Sequence, residues 1–171
     1  YDHFLNYLID LGKKDNFSFI RIAFPIVNNE EHLMIVKSLG FKTAPIYMHA
    51  ERMWALDLTQ TEDELLANMR KTTRYLIRRA PKDGVVIEKR NDQAAIEDFQ
   101  KLYTETASRE SFTPFSKAFV DSEFKEFFKT GNADYFFGKV NDEYLAGALI
   151  VYTKSTAFYH QGASRHTKFP V

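Results

Sequence analysis

The sequence predicts an α/β (α+β) chain, a mixed sheet flanked by helices. Three observations carry this: helical-period apolar stripes in some segments, short β-rich apolar runs in others, and the alternation of the two along 171 residues. The length is enough for an ordinary hydrophobic core.

The first part reads α-β-α-β-β. Phe4, Leu5, Leu8 and Leu11 stand at helical spacing and predict a helix ending near Gly12. Residues 17–26 are β-rich and mostly apolar, as in a strand buried on both faces. Asn28 with Glu31 offers a cap and an acidic first turn to a second helix, whose face is Leu33, Val36 and Leu39 and whose stop is Gly40. Residues 41–47 and 53–58 read as two more strands.

The second part reads β-α-α-β-β-β after a helical connection. Thr61-x-x-Glu64 is a capping box ahead of Leu65, Leu66 and Met69, and this helix runs on, or restarts, through a cationic block as far as Pro81. Residues 85–89 predict a strand. Ile96, Phe99, Leu102, Tyr103 and Thr106 mark one helix face, and Val120, Phe124, Phe127 and Phe128 mark another. Between them Pro114 biases Thr113 away from helix. Residues 135–140, 144–152 and 157–161 close as three strands, the first two joined by a tight turn at Asn141-Asp142-Glu143.

Composition narrows the chemistry. Apolar content of 44% and charged content of 27% are globular values. No run approaches the roughly 18 apolar residues of a spanning helix. The start, Tyr1-Asp2-His3-Phe4, has no leader pattern. Cysteine is absent, which removes disulfides, thiol nucleophiles and thiolate metal sites. His160 and His166 lack a third metal ligand at a recognisable spacing. Ser164-Arg165-His166 has no G-x-S-x-G elbow around it, so covalent serine catalysis is not expected. The carboxylates show no paired acid/base signature, and no general base is assigned. The chain opens without Met and stops at Val171 without a closing element, and is expected to be a fragment.

Charge is balanced overall, yet Arg70, Lys71, Arg74, Arg78, Arg79 and Lys82 crowd into one short stretch. In a helix, Arg70, Arg74 and Arg78 fall at i, i+4 and i+8 as a stripe, flanked by Lys71 and Arg79. Such a stripe suits a polyanion or a phosphate-bearing ligand. A solvated face paired with local acids is the plainer alternative. Tyr75 beside Arg74 either stacks on a base or turns inward.

Trp54-Ala55-Leu56-Asp57-Leu58, then Glu64-Leu65-Leu66, Met69-Arg70-Lys71-Thr72-Thr73-Arg74-Tyr75 and Arg78-Arg79-Ala80, resembles the FemXAB family of aminoacyl-tRNA-dependent aminoacyltransferases that build peptidoglycan bridges. The resemblance continues through Tyr103-Thr104-Glu105-Thr106-Ala107-Ser108-Arg109 and Tyr159-His160-Gln161-Gly162-Ala163-Ser164. It implies a GNAT-like (acyl-CoA N-acyltransferase-like) fold present as parts of two tandem units. Residues 1–58 would be the C-terminal part of a first unit, 59–84 a cationic helical connection, and 85–171 the N-terminal part of a second. It further implies transfer of an amino acid from aminoacyl-tRNA to the stem-peptide amine of a peptidoglycan precursor, lipid-linked or nucleotide-linked. The reaction would run in the cytoplasm or at the inner membrane face, with peripheral membrane contact and no cofactor beyond the charged tRNA.

By the same resemblance, the substrate-binding residues are Arg70, Lys71, Arg74, Arg78, Arg109, Phe115, Phe119, Tyr159 and His160. Two departures matter. Phe115 and Phe119 stand where some members carry a phosphate-binding Arg and Tyr, and Ala23 or Phe24 stands where the family places an acid. Two rivals remain: a non-catalytic GNAT-like module binding RNA or a partner protein, and an acyl-CoA N-acyltransferase. The second conflicts with residues 161–169, which lack the R/Q-x-x-G-x-G/A loop for CoA.

Overall fold

A computed structural model describes residues 2–24, 28–46, 52–167 and 169. The chain divides into two units, Tyr1–Asp57 and Leu58–Val171.

In the first unit, helix α1 (Asp2–Lys14) buries Leu5 and carries Lys13 and Lys14 in its last turn, where cations suit the helix dipole. Gly12 permits a close approach: a Cβ there would lie 3.2 Å from Ile20 Cδ1. Helix α2 (Glu30–Ser38) starts at Asn29, whose side chain accepts from the His32 N–H at 2.8 Å. It ends before Gly40 at φ +82°. Ile9, Gly12, Phe17, Ile20, Leu39 and Phe41 line an open groove in this unit.

The three strands expected here do not form among the described residues. Residues 17–24, 41–46 and 53–58 are irregular, and Phe17 and Phe19 are exposed rather than buried. A β-rich run becomes a strand only when a neighbour takes up its N–H and C=O groups, and among the described residues no ladder reaches these segments. Ile26 and Tyr47, the far ends of two of these runs, lie outside the described residues.

The second unit begins with the expected capping box. In helix α3 (Glu62–Asn68), Thr61 Oγ1 accepts from the Glu64 N–H (3.3 Å) while the Thr61 N–H donates to Glu64 Oε2 (2.9 Å). Met69 and Arg70 are extended, so the helix restarts as α4 (Lys71–Arg79). A 3₁₀ turn, Ala80–Asp83, ends at Gly84 in the left-handed region.

Strands β1 (Val86–Arg90), β2 (Ala133–Val140), β3 (Glu143–Tyr152) and β4 (Ala157–Ser164) form one antiparallel sheet in the order β1-β2-β3-β4. Between β1 and β2 run α5 (Gln93–Glu110), capped by Asp92, and α6 (Lys117–Lys129), capped by Ser116. Both pack on one sheet face. Ile96, Phe99 and Leu102 of α5 and Phe124 of α6 meet Tyr135, Phe137, Leu149 and Ala163 in the core. Phe99 lies 4.9 Å from Tyr135, and Tyr135 lies 4.7 Å from Phe124, ring centre to ring centre. Gly147 leaves room for this: a Cβ there would meet Phe99 at 3.1 Å and Phe137 at 3.2 Å.

Strand β4 runs three residues past its expected end at Gln161. Gly162, Ala163 and Ser164 pair with Ala148, Gly147 and Ala146, so the ladder with β3 carries the strand through the glycine. Leu149 pairs with Gln161 and Ile150 with Tyr159, which leaves His160 as the extra residue of a β-bulge.

Candidate functional site

The cationic block occupies the α3–α4 corner, and the restart of the helix sorts its members. Arg74 turns back and donates to the carbonyls of Ala67 (3.0 Å) and Met69, closing the end of α3. Arg79 is taken up by Asp83 (2.8 Å) and the Tyr75 hydroxyl (3.0 Å), and these bonds raise its pKa. Tyr75 is itself exposed and lies under that guanidinium, 5.8 Å from the ring centre. The side chains of Arg70, Lys71, Arg78 and Lys82 are exposed and, among the described residues, make no hydrogen bond or ion pair. The expected Arg70-Arg74-Arg78 stripe is thus interrupted at Arg74, whose guanidinium serves the backbone. Lys71 and Arg78, seven residues apart on one helix face, carry the free charge with Arg70 and Lys82.

At the other expected site, Arg109 reaches from the end of α5 to β4. Its Nη1 donates to the Ser164 carbonyl (2.5 Å) and its Nε to Glu110 (2.8 Å). Phe115 and Phe119 stack on each other at 5.0 Å and are both about half exposed. Tyr159 is 71% exposed, and its hydroxyl lies 1.8 Å from where a Cβ of Gly162 would be, so the ring lies along the bare backbone of that glycine. Tyr159 pairs with Ile150 and so points to the sheet face away from α5 and α6.

His160, on the bulge, turns the other way. Its Nε2 lies 3.0 Å from Glu123 Oε1 on α6, with 37% of the imidazole exposed. Glu123 stands four residues after Phe119 on the same helix face. The structure therefore sets His160 against Glu123, one helical turn after Phe119 on α6, with Phe115 stacked on Phe119 ahead of the helix. It puts Tyr159 on the opposite sheet face, and Arg109 at Ser164, roughly 13 Å further along the strand. Glu123 was not legible in the sequence, because no spacing links residue 123 to residue 160. Gln161, at the expected end of the strand, is buried, and neither of its amide atoms has a hydrogen-bond partner.

The architecture is that of a mixed α/β chain with a four-stranded antiparallel sheet backed by two helices and preceded by a cationic helical corner. The chain belongs to the FemAB family, whose sequence model matches residues 39–141. Its fold is similar to that of a solved structure described as the crystal structure of FemX, with a TM-score of 0.67 at 18% identity. The likeness covers 95% of this chain and 60% of that one, so the chain spans about 60% of the length of that relative. No curated protein matches the sequence. No helix among the described residues is long and apolar enough to cross a membrane.

Proposed function

We propose that the full-length protein transfers an amino acid from aminoacyl-tRNA to the stem-peptide amine of a peptidoglycan precursor. The donor is the charged tRNA, with no separate cofactor. The observation that carries this reading, beside membership of the FemAB family, is the set of unpaired cations at the α3–α4 corner. Free guanidinium and ammonium groups on one short helix are what a phosphodiester backbone neutralises. The exposed Phe115–Phe119 pair offers flat apolar faces to the acceptor's peptide or sugar part. Attack of an amine on an ester is driven by the stability of the amide formed. Binding both partners in line supplies much of the remaining barrier reduction.

The test is incubation of the full-length protein with charged tRNA and either a lipid-linked or a nucleotide-linked precursor, followed by mass spectrometry. The expected product is the precursor heavier by one aminoacyl residue. A precursor of unchanged mass, with the tRNA still charged, would overturn the proposal.

A further inference from the structure

Glu123 and His160 are brought together by tertiary structure alone, one from the middle of α6 and the other from the bulge of the edge strand β4. A bulge re-aims a side chain. Here it directs the imidazole of His160 toward α6, while Tyr159 beside it points to the other face. In the neutral ring the contact with Glu123 Oε1 makes Nε2 the protonated nitrogen, so Nδ1 keeps its lone pair. The carboxylate that holds the ring is mostly covered, with 18% of its side chain exposed, and its second oxygen is buried without a hydrogen-bond partner. The groups around the pair leave it this role. Asp121 on α6 is bound by Lys117 at 2.6 Å. Tyr135 on β2 has its phenol pushed up by burial and by the charges of Asp121 and Glu123, and stays neutral. Tyr159 on β4 faces away.

Resting on the transferase reading above, we propose that His160 is the proton acceptor for the attacking amine, held in its reactive tautomer by Glu123 as a positioning residue. A primary ammonium of pKa about 10 is almost wholly protonated near neutral pH. The small neutral fraction attacks and must lose a further proton as the C–N bond forms. The attacking nitrogen bonds to the ester carbonyl carbon, and the carbonyl π pair moves onto oxygen. His160 Nδ1 takes the proton from that nitrogen. When the pair returns, the ester C–O bond breaks, and the leaving ribose oxygen takes the proton from the imidazolium. The imidazole is thereby regenerated, with one amide and one free hydroxyl formed. Phe119, one helical turn before Glu123 on α6, presents a half-exposed apolar face on which the acceptor's chain can lie.

The experiment has two readouts on the full-length protein. Nitrogen NMR of His160 is expected to show Nε2 protonated and Nδ1 bare, with the preference weakened in Glu123→Ala. In the transfer assay, His160→Gln is expected to lower kcat by on the order of 10²–10⁴ with KM for the precursor little changed. Glu123→Gln, whose amide oxygen still accepts from Nε2, should lose less. Urea unfolding checks that each variant remains folded. Transfer that survives His160→Gln within threefold, or an Nδ1-protonated resting ring, overturns the base assignment alone. Absence of transfer by the wild-type protein overturns the proposed function and the base assignment with it.

Discussion

Thr106 and Ser164, 58 positions apart in sequence, are joined by the Thr106 hydroxyl. It accepts from the Ser164 N–H at 2.9 Å and stands 3.0 Å from the Ser164 carbonyl oxygen. Arg109 donates to the same carbonyl, and one residue further on Arg165 grips both oxygens of Glu105 at 2.7 Å. Glu105 and Thr106 on one turn of α5 and Arg109 on the next thus hold the end of β4 and the residue after it, and this clamp reinforces the ladder that carries the strand past its glycine.

Thr106→Val keeps the shape of the side chain and removes the acceptor, leaving the Ser164 N–H without its partner. The expected cost is about 1–3 kcal/mol of stability, read from urea unfolding. A midpoint equal to wild type would mean that the neighbouring guanidinium contacts hold the strand end unaided.

The cations of the α3–α4 corner separate into two groups by their partners. Neutralising Arg70, Lys71 or Arg78 should each weaken tRNA binding and lower the log-log salt slope by roughly 0.7–0.9. Arg79→Ala, whose guanidinium is committed to Asp83 and Tyr75, should leave the slope nearly unchanged. Equal effects from all four would show that the intramolecular bonds do not decide which charges meet the RNA.

Acid should weaken the clamp. The hydrogen bonds from Arg165 hold the Glu105 carboxyl below the 4.5 of an unperturbed glutamate. The unfolded chain therefore binds this proton first as pH falls. The stabilisation is whole at neutral pH and is lost as pH drops through about 4.5 and on through the lower folded value. Asp92, held down chiefly by hydrogen bonds from Arg90, adds to the same trend. Stability measured by denaturant titration should be lower at pH 3 than at pH 6, and Arg165→Gln should reduce that difference. If the variant and the wild type lose equal stability between the two pH values, the Glu105–Arg165 pair does not contribute.

Gly147 and Gly162 should respond differently to alanine. At Gly147 the new methyl group meets the rings of Phe99 and Phe137 inside the core, and the expected penalty is about 1–3 kcal/mol. At Gly162 its nearest neighbours are the hydroxyl and adjoining ring carbons of the exposed Tyr159, which can swing away at little cost. Thermal unfolding of the two variants tests the contrast, and a Gly162→Ala penalty as large as that of Gly147→Ala would show that Tyr159 is held in place.

By itself the sequence determined whatever short-range chemistry specifies. The Thr61–Glu64 capping box, the end of the second helix ahead of Pro81, and the helical faces of α5 and α6 each depend on residues within a turn or two of one another. Strands β2, β3 and β4 were legible for the same reason, since their apolar pattern and their neighbours in the sheet lie close in sequence, whereas β1 was legible only as a β-rich run because α5 and α6 separate it from its partner β2. The family was legible because its wording is local as well.

Tertiary structure decided the rest, because long-range pairing has no counterpart in spacing. Residues 17–24 and 41–46 have β-rich composition, yet a strand needs a partner at hydrogen-bonding distance. Arg74 and Arg78 are alike in sequence, and only the break at Met69 assigns one to the backbone and leaves the other free. His160 faces Glu123 because a one-residue bulge reverses the side-chain alternation of β4. Composition does not encode that reversal. It follows from how β4 must bend to keep both Tyr159 and Gln161 paired with β3.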